Sequence, residues 1–220
     1  MLDNEHSLNN IGTLRERDAF FNMLEDVNDS YLDLEDLFIK LVRVMINALD
    51  TKSPWTKGHS ERVSKYSEQI AIEMQIDEED VRDIKLAGLL HDIGKIGTYD
   101  NLLEKPGKLT RQEFDIVKKH PEQGANILKD IKQLDNIIPY IKHHHEKFDG
   151  KGYPNHLCSS DIPLGARILH VADSFDSMTS DRPYRKAPGI KFALRELDQN
   201  KGKQFDNEVV EAFVNTLNKE

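Results

Sequence analysis

Cysteine is almost missing from this sequence. The single Cys158 leaves no partner for an intrachain disulfide and no thiolate set for a Cys-rich zinc or iron–sulfur site. Long apolar runs are missing too. The most apolar early stretch, FIKLVRVMINAL, is broken by Lys40 and Arg43 and is too short to span a bilayer. The opening MLDNEHSLNN has neither a basic region nor an apolar one, so no secretory leader is expected. Positive charge is in deficit: 30 basic against 39 acidic residues give a net charge of −9, which argues against a nucleic-acid polymer or an anionic membrane as partner. A cytoplasmic protein is the expectation, and an anionic substrate would need a local basic pocket.

Strand-type alternation is the next absence. No stretch of any length alternates apolar and polar residues, whereas spacings of three and four recur throughout. With 38% hydrophobic and 31% charged residues in a chain of 220, amphipathic helices around one core are expected. Residues 1–33 read as a polar N-terminal extension with a short amphipathic piece at Phe20, Phe21 and Leu24, and 34–220 as one domain. Leu34, Leu37, Phe38, Leu41, Val42, Met45 and Leu49 mark a helix stopped before Pro54. A helix begins between Trp55 and His59 and buries Val63, Tyr66 and Ile70. Asp77 caps the next, which runs to His91, and Thr110 with Glu113 spells a capping box for one leading to His120. Pro121 opens a short helix, Ile137 to Ile141 lead another into HHHE, and three more cover PLGARILHVADSFDSMTS, 189–198 and 206–218. The expected fold class is all-α, a helical bundle.

Histidine is the residue present in excess. Of nine, His59, His91, His120, His144 and His145 fall at predicted helix ends on or beside an apolar stripe. Acids follow in HD (91–92) and HHE (144–146), and Asp173 lies inside the apolar run ILHVADSF, where a carboxylate is costly unless paired or metal-bound. A lone helix-end histidine is more often a cap or a satisfied surface group, and His6, His156, His170 and His143 are read that way. Imidazole and carboxylate without thiolate suit iron, manganese, nickel or zinc. Neighbours such as His91 and Asp92 are about 100° apart on a helix, which suits two ions sharing a carboxylate better than one ion chelated twice.

The ordered series HSERV, LLHDIGKIG, KPGKLT, KKHPEQG, HHEKFDGKGYP, RILHVADSFDSMTSDRPYR and FDNEVVEAF, from about 35 to 218, resembles an HD-GYP domain. That family is a branch of the HD superfamily of metal-dependent phosphohydrolases. The resemblance implies a helical bundle of the HD type holding iron or manganese. It also implies hydrolysis of cyclic di-GMP to pGpG, or on to GMP, by a metal-activated hydroxide. Carried over by motif, the ligands would be His59, His91, Asp92, His120, His144, His145 and Asp173, with Asp92 bridging. Members with three metals carry a glutamate four residues before the first histidine. Trp55 stands there in this chain, so two divalent ions are expected, with pGpG as main product.

Lys95, one turn after His91, is placed to neutralise a phosphate, and Arg182 and Arg185 of DRPYR offer guanidinium forks for the same purpose. In the family these positions contact the ligand. Tyr153 is expected to line the pocket and Asp149 to orient a ligand histidine, and the glycine-rich loop is implied as a docking surface for diguanylate cyclases. The bland alternatives are a helix-end charge for Lys95, an ion pair with Asp181 or Asp176 for Arg182, and a purely structural loop. The rival functions are a non-catalytic cyclic di-GMP sensor and a phosphohydrolase for another nucleotide such as cyclic GMP–AMP. No receiver or other sensory domain is recognisable in the sequence, and Phe20, Phe21 and Leu24 are candidates for homodimer contacts.

Overall fold

The computed structural model describes residues 22–23, 25–30, 33–34, 36–47, 58–97, 102, 105, 107, 109–181 and 186–219. Phe20, Phe21, Leu24, Trp55, Arg182 and Arg185 lie outside them. The chain divides into two compact units, Met1–Val44 and Met45–Glu220. In the first, every described residue is helical. Its Asp36 and Lys40 form an exposed i,i+4 ion pair at 2.5 Å.

Among its described residues the second unit consists of helices and 3-10 turns joined by loops, with an isolated bridge between Lys201 and Phe205. Helix α1 covers His59–Glu73, α2 Glu78–Leu90, α3 Arg111–Val117, α4 His120–Leu128, α5 Ile138–His143, α6 Leu164–Thr179, α7 Ile190–Gln199 and α8 Asn207–Asn218. The all-α expectation holds. The starts follow local chemistry. Asp77 stands at the N-cap of α2 with Glu78, Glu79 and Asp80 in the first turn, where negative charge opposes the helix dipole favourably. At α3 the Thr110 hydroxyl accepts from the Glu113 N–H, while the Glu113 carboxylate accepts from the Thr110 N–H. Asp206 caps α8 by accepting from Glu208 N–H at 2.9 Å and also pairs with Arg167 of α6.

The core lies where α6 meets α1, α2, α5 and α8. Val63 and Ile70 of α1, Ile84 of α2, Ile141 of α5, Ile168 and Leu169 of α6 and Phe213 of α8 are at most 2% exposed. Tyr66, Phe175 and Phe213 add edge-to-face ring contacts of 4.7 to 5.7 Å between centroids. This packing leaves the N-terminal end of α1, the C-terminal ends of α2 and α5 and the middle of α6 facing one another. His59, His91, His144 and His145 stand on those ends, and His120 stands at the start of α4.

Candidate metal centre

Two helix breaks place the HD pair. Helix α2 ends at Leu90, and a 3-10 turn, Ile93–Gly97, begins two residues after His91. That turn packs on α4 so closely that a Cβ on Gly94 would lie 1.9 Å from the His120 carbonyl oxygen. Only glycine permits the approach, which brings Asp92 beside His120. His144 and His145 follow the short α5 directly, and Asp173 lies one helical turn before Asp176 on α6.

The side chains converge. Three groups of donors lie with their ligand atoms within 4.8 Å of one another: His120, His144 and His145; His59, His91 and Asp173; and His91, Asp92 and His144. Asp92 stands between the first two. Its Oδ1 is 3.3 Å from His120 Nε2, while its Oδ2 is 3.6 Å from His59 Nε2 and 3.4 Å from His91 Nε2. Asp173 Oδ1 is 3.3 Å from His59 Nε2. The structure thus brings together all seven residues read from the sequence as ligands.

Hydrogen bonds on the far ring nitrogens fix the tautomers. The Nδ1 atoms of His91, His120 and His144 lie 2.8, 2.8 and 2.7 Å from the carbonyl oxygens of Gly88, Val117 and Ile141, each three residues upstream. A carbonyl only accepts, so each Nδ1 donates and each Nε2 is turned toward the centre. His120 Nε2 and His144 Nε2 then face each other at 3.3 Å with two lone pairs between them. His91 Nε2 and Asp92 Oδ1 are buried with no hydrogen-bond partner. Such groups are unfavourable unless a cation joins them. This donor set, nitrogen and carboxylate oxygen without sulfur, fits divalent first-row ions.

The charges agree. Burial pushes the His120 imidazole down to about 4, and it pushes His144 and His145 well below their ordinary range. All three are neutral, as ligands must be. Burial opposes ionisation of Asp92, but Lys95 and His91 outweigh it and hold the carboxyl well below the usual range. For Asp173 burial is likewise overcome, chiefly by the bond to His59. Burial also disfavours charge on His59, yet hydrogen bonds to Asp173 and Asp176 raise it to about 10.

Other expectations divide. Lys95 Nζ lies 2.5 Å from Asp92 Oδ2, at the centre and not merely at a helix end. Tyr153 stacks on His145 with centroids 4.9 Å apart. Asp149 does not orient a histidine: its carboxylate accepts from Lys151 N–H at 3.1 Å and from Lys151 Nζ at 2.8 Å, holding its own loop. Asp176 does that work instead. Its Oδ2 accepts from His59 Nδ1 at 2.7 Å, and the Arg62 guanidinium clamps it at 2.5 and 3.0 Å. Sequence reasoning missed both residues, although Asp173/Asp176 and His59/Arg62 are i,i+3 pairs sharing a helix face. His170 is no surface group: it is buried, and its Nδ1 donates to the His144 carbonyl at 2.7 Å, steadying the ligand segment from behind. His143 stays outside the donor groups, 3.7 Å from Glu146.

An all-helical core in which five histidines and two aspartates converge, in groups whose ligand atoms lie within 4.8 Å of one another, is a helical protein with a cluster able to hold metal. Comparison with known proteins agrees. The family model described as HD domain matches residues 43–209. The chain is 40% identical over 198 residues to a protein of Thermotoga maritima named cyclic di-GMP phosphodiesterase, covering 88% of this chain and 53% of that protein. It is 37% identical over 190 residues to 3'3'-cGAMP-specific phosphodiesterase 3 of Vibrio cholerae, covering 86% of this chain and 41% of that protein. This chain therefore spans about half the length of such relatives. Among solved structures, Bd1817, a HDG"Y"P protein from Bdellovibrio bacteriovorus, superposes with a TM-score of 0.62 at 23% identity, covering 76% of this chain and 53% of that one. The chain belongs to the HD domain family. Among the described residues, no helix is long and apolar enough to cross a membrane.

Proposed function

We propose that this chain is the catalytic domain of a metal-dependent phosphodiesterase of the HD-GYP type, hydrolysing cyclic di-GMP to pGpG at a centre of two divalent ions, iron or manganese. The observation that carries the reading is Asp92, whose two oxygens divide between two groups of donors. One group is His59, His91 and Asp173, and the other is His120, His144 and His145. Two ions held there would acidify water to give a nucleophile near neutral pH and polarise a phosphoryl oxygen.

The protein's own groups do the rest. The Lys95 ammonium, beside Asp92, meets the non-bridging phosphate oxygens where negative charge grows as the ester bond breaks. Tyr153, stacked on His145, forms an aromatic wall beside the centre for the ligand's base or sugar. Arg182 and Arg185 supply the remaining phosphate contacts. Relatives support the substrate class, because the Thermotoga protein is named for cyclic di-GMP. A second reading rests on the Vibrio relative, named for cyclic GMP–AMP. This reading places the domain in the cytoplasm, where a lone Cys158 stays reduced.

The test is a competition. The metal-loaded protein is given equal cyclic di-GMP, 3'3'-cyclic GMP–AMP and cyclic di-AMP, and products are resolved by mass spectrometry. Early accumulation of pGpG supports the proposal. Faster loss of the mixed dinucleotide favours the second reading, and no loss of any of them excludes both.

A further inference from the structure

The first unit exposes a stripe that the catalytic reading does not use. Met23, Val27, Leu34, Leu37, Leu41 and Val44 are 52% to 65% exposed, and each lies on helical backbone. With Ser30 they fall at successive spacings of four and three residues over 23–44, the heptad register of a helix that pairs with another helix. Val42, on a different face, is only 6% exposed, so apolar side chains occupy more than one side of this segment. A helix that is apolar on more than one side is normally covered on each of them.

We propose that a second copy of this chain covers the stripe, the two helices packing antiparallel about a twofold axis. Charge selects both occupant and direction. Asp26, Asp29, Asp33 and Asp36 occupy the first half of the segment, and Lys40 and Arg43 the second. An antiparallel pair that layers Leu34 on the other copy's Leu37 sets Asp33 beside the other copy's Lys40, and symmetry makes that pair twice. A parallel pair sets the two acidic halves side by side. The Asp36–Lys40 pair is exposed at both partners, so it yields to a cross-helix pairing at little cost.

The pairing needs neither metal nor substrate, so its test is independent of the phosphodiesterase reading. Sedimentation equilibrium of the whole chain is expected to give twice the chain mass at micromolar concentration. Leu37→Lys with Leu41→Lys is expected to give a single chain with unchanged circular dichroism and metal content. Direction is read on a Cys158→Ser background: Asp33→Cys mixed with Lys40→Cys is expected to form the mixed disulfide faster than either forms its own. A single-chain mass at 100-fold higher concentration overturns the proposal. So does preferential Lys40→Cys self-coupling, which reports a parallel pair, or a dimer that survives both lysines.

Discussion

His59 Nδ1 lies 2.7 Å from Asp176 Oδ2, and that bond decides which nitrogen of His59 faces the metal centre. Arg62 holds the carboxylate from the other side, so His59 is oriented by a residue that is itself fixed. Asp176→Ala frees the ring while leaving every ligand in place. Metal affinity of the His59, His91 and Asp173 group is expected to fall about 10- to 100-fold, the usual cost of losing a partner behind a ligating histidine. The other group should keep its ion. Manganese titration followed by electron paramagnetic resonance checks this; two ions bound as tightly as in the unaltered protein would contradict it.

The imidazoles also set how metal-free stability responds to pH. His120 titrates at about 4 in the folded chain because it is buried, against an ordinary 6.5, and His144 and His145 are depressed in the same direction. The unfolded chain therefore binds more protons below pH 6.5, and acidification toward 4 favours unfolding. His59 runs the other way: burial is overcome by Asp173 and Asp176, which raise it from 6.5 to about 10. Its contribution is full below 6.5 and is lost as pH rises toward 10. Metal-free protein should be most stable near pH 6.5, with melting temperature falling on either side. Metal needs His59 unprotonated, so affinity should rise with pH over the alkaline interval and abolish that limb. Calorimetry from pH 5 to 9 with and without manganese measures both; a flat metal-free profile above 6.5 would refute the assignment.

Lys95 sits against the Asp92 carboxylate and, as an ammonium, has no lone pair to offer a metal. Lys95→Met keeps the bulk and removes the charge. Metal content should be retained, and kcat should fall about 10²- to 10³-fold, as when one charge-stabilising donor is removed. Steady-state kinetics alongside metal analysis separates the outcomes, since loss of metal would make Lys95 a structural support.

Gly94 fixes the approach of the HD turn to α4. In Gly94→Ala the new Cβ would meet backbone at 1.9 Å from His120 O and 2.5 Å from Gly124 N, neither of which can move aside like a side-chain end. A destabilisation of about 1–3 kcal/mol is expected, as for overpacking elsewhere. Thermal melts of metal-free protein measure it. An unshifted melting temperature would mean that the turn is looser than the packing indicates.

Much of this was legible in the sequence because it is written locally. Thr110 and Glu113 spell their capping box within four residues, and the apolar period of α6 announces a helix with Asp173 on its inner side. The seven residues that converge at the centre were legible through the ordered motifs. Asp176 and Arg62 were not, because their roles arise from α1 and α6 packing together, over 114 residues of sequence separation. His170 misled for the same reason, since nothing local says that the His144 carbonyl will lie beneath it. Asp149 reads as a free acceptor until the fold shows Lys151 occupying it.

The most direct measurement is hydrolysis of cyclic di-GMP by protein purified without oxygen, with bound metal quantified in the same preparation and in His91→Ala. Close to two ions per chain, turnover to pGpG, and loss of both in the variant are the expected result. Full metal occupancy with no turnover would contradict the phosphodiesterase assignment. A chain that stays metal-free after supplementation with iron and manganese would contradict the centre itself.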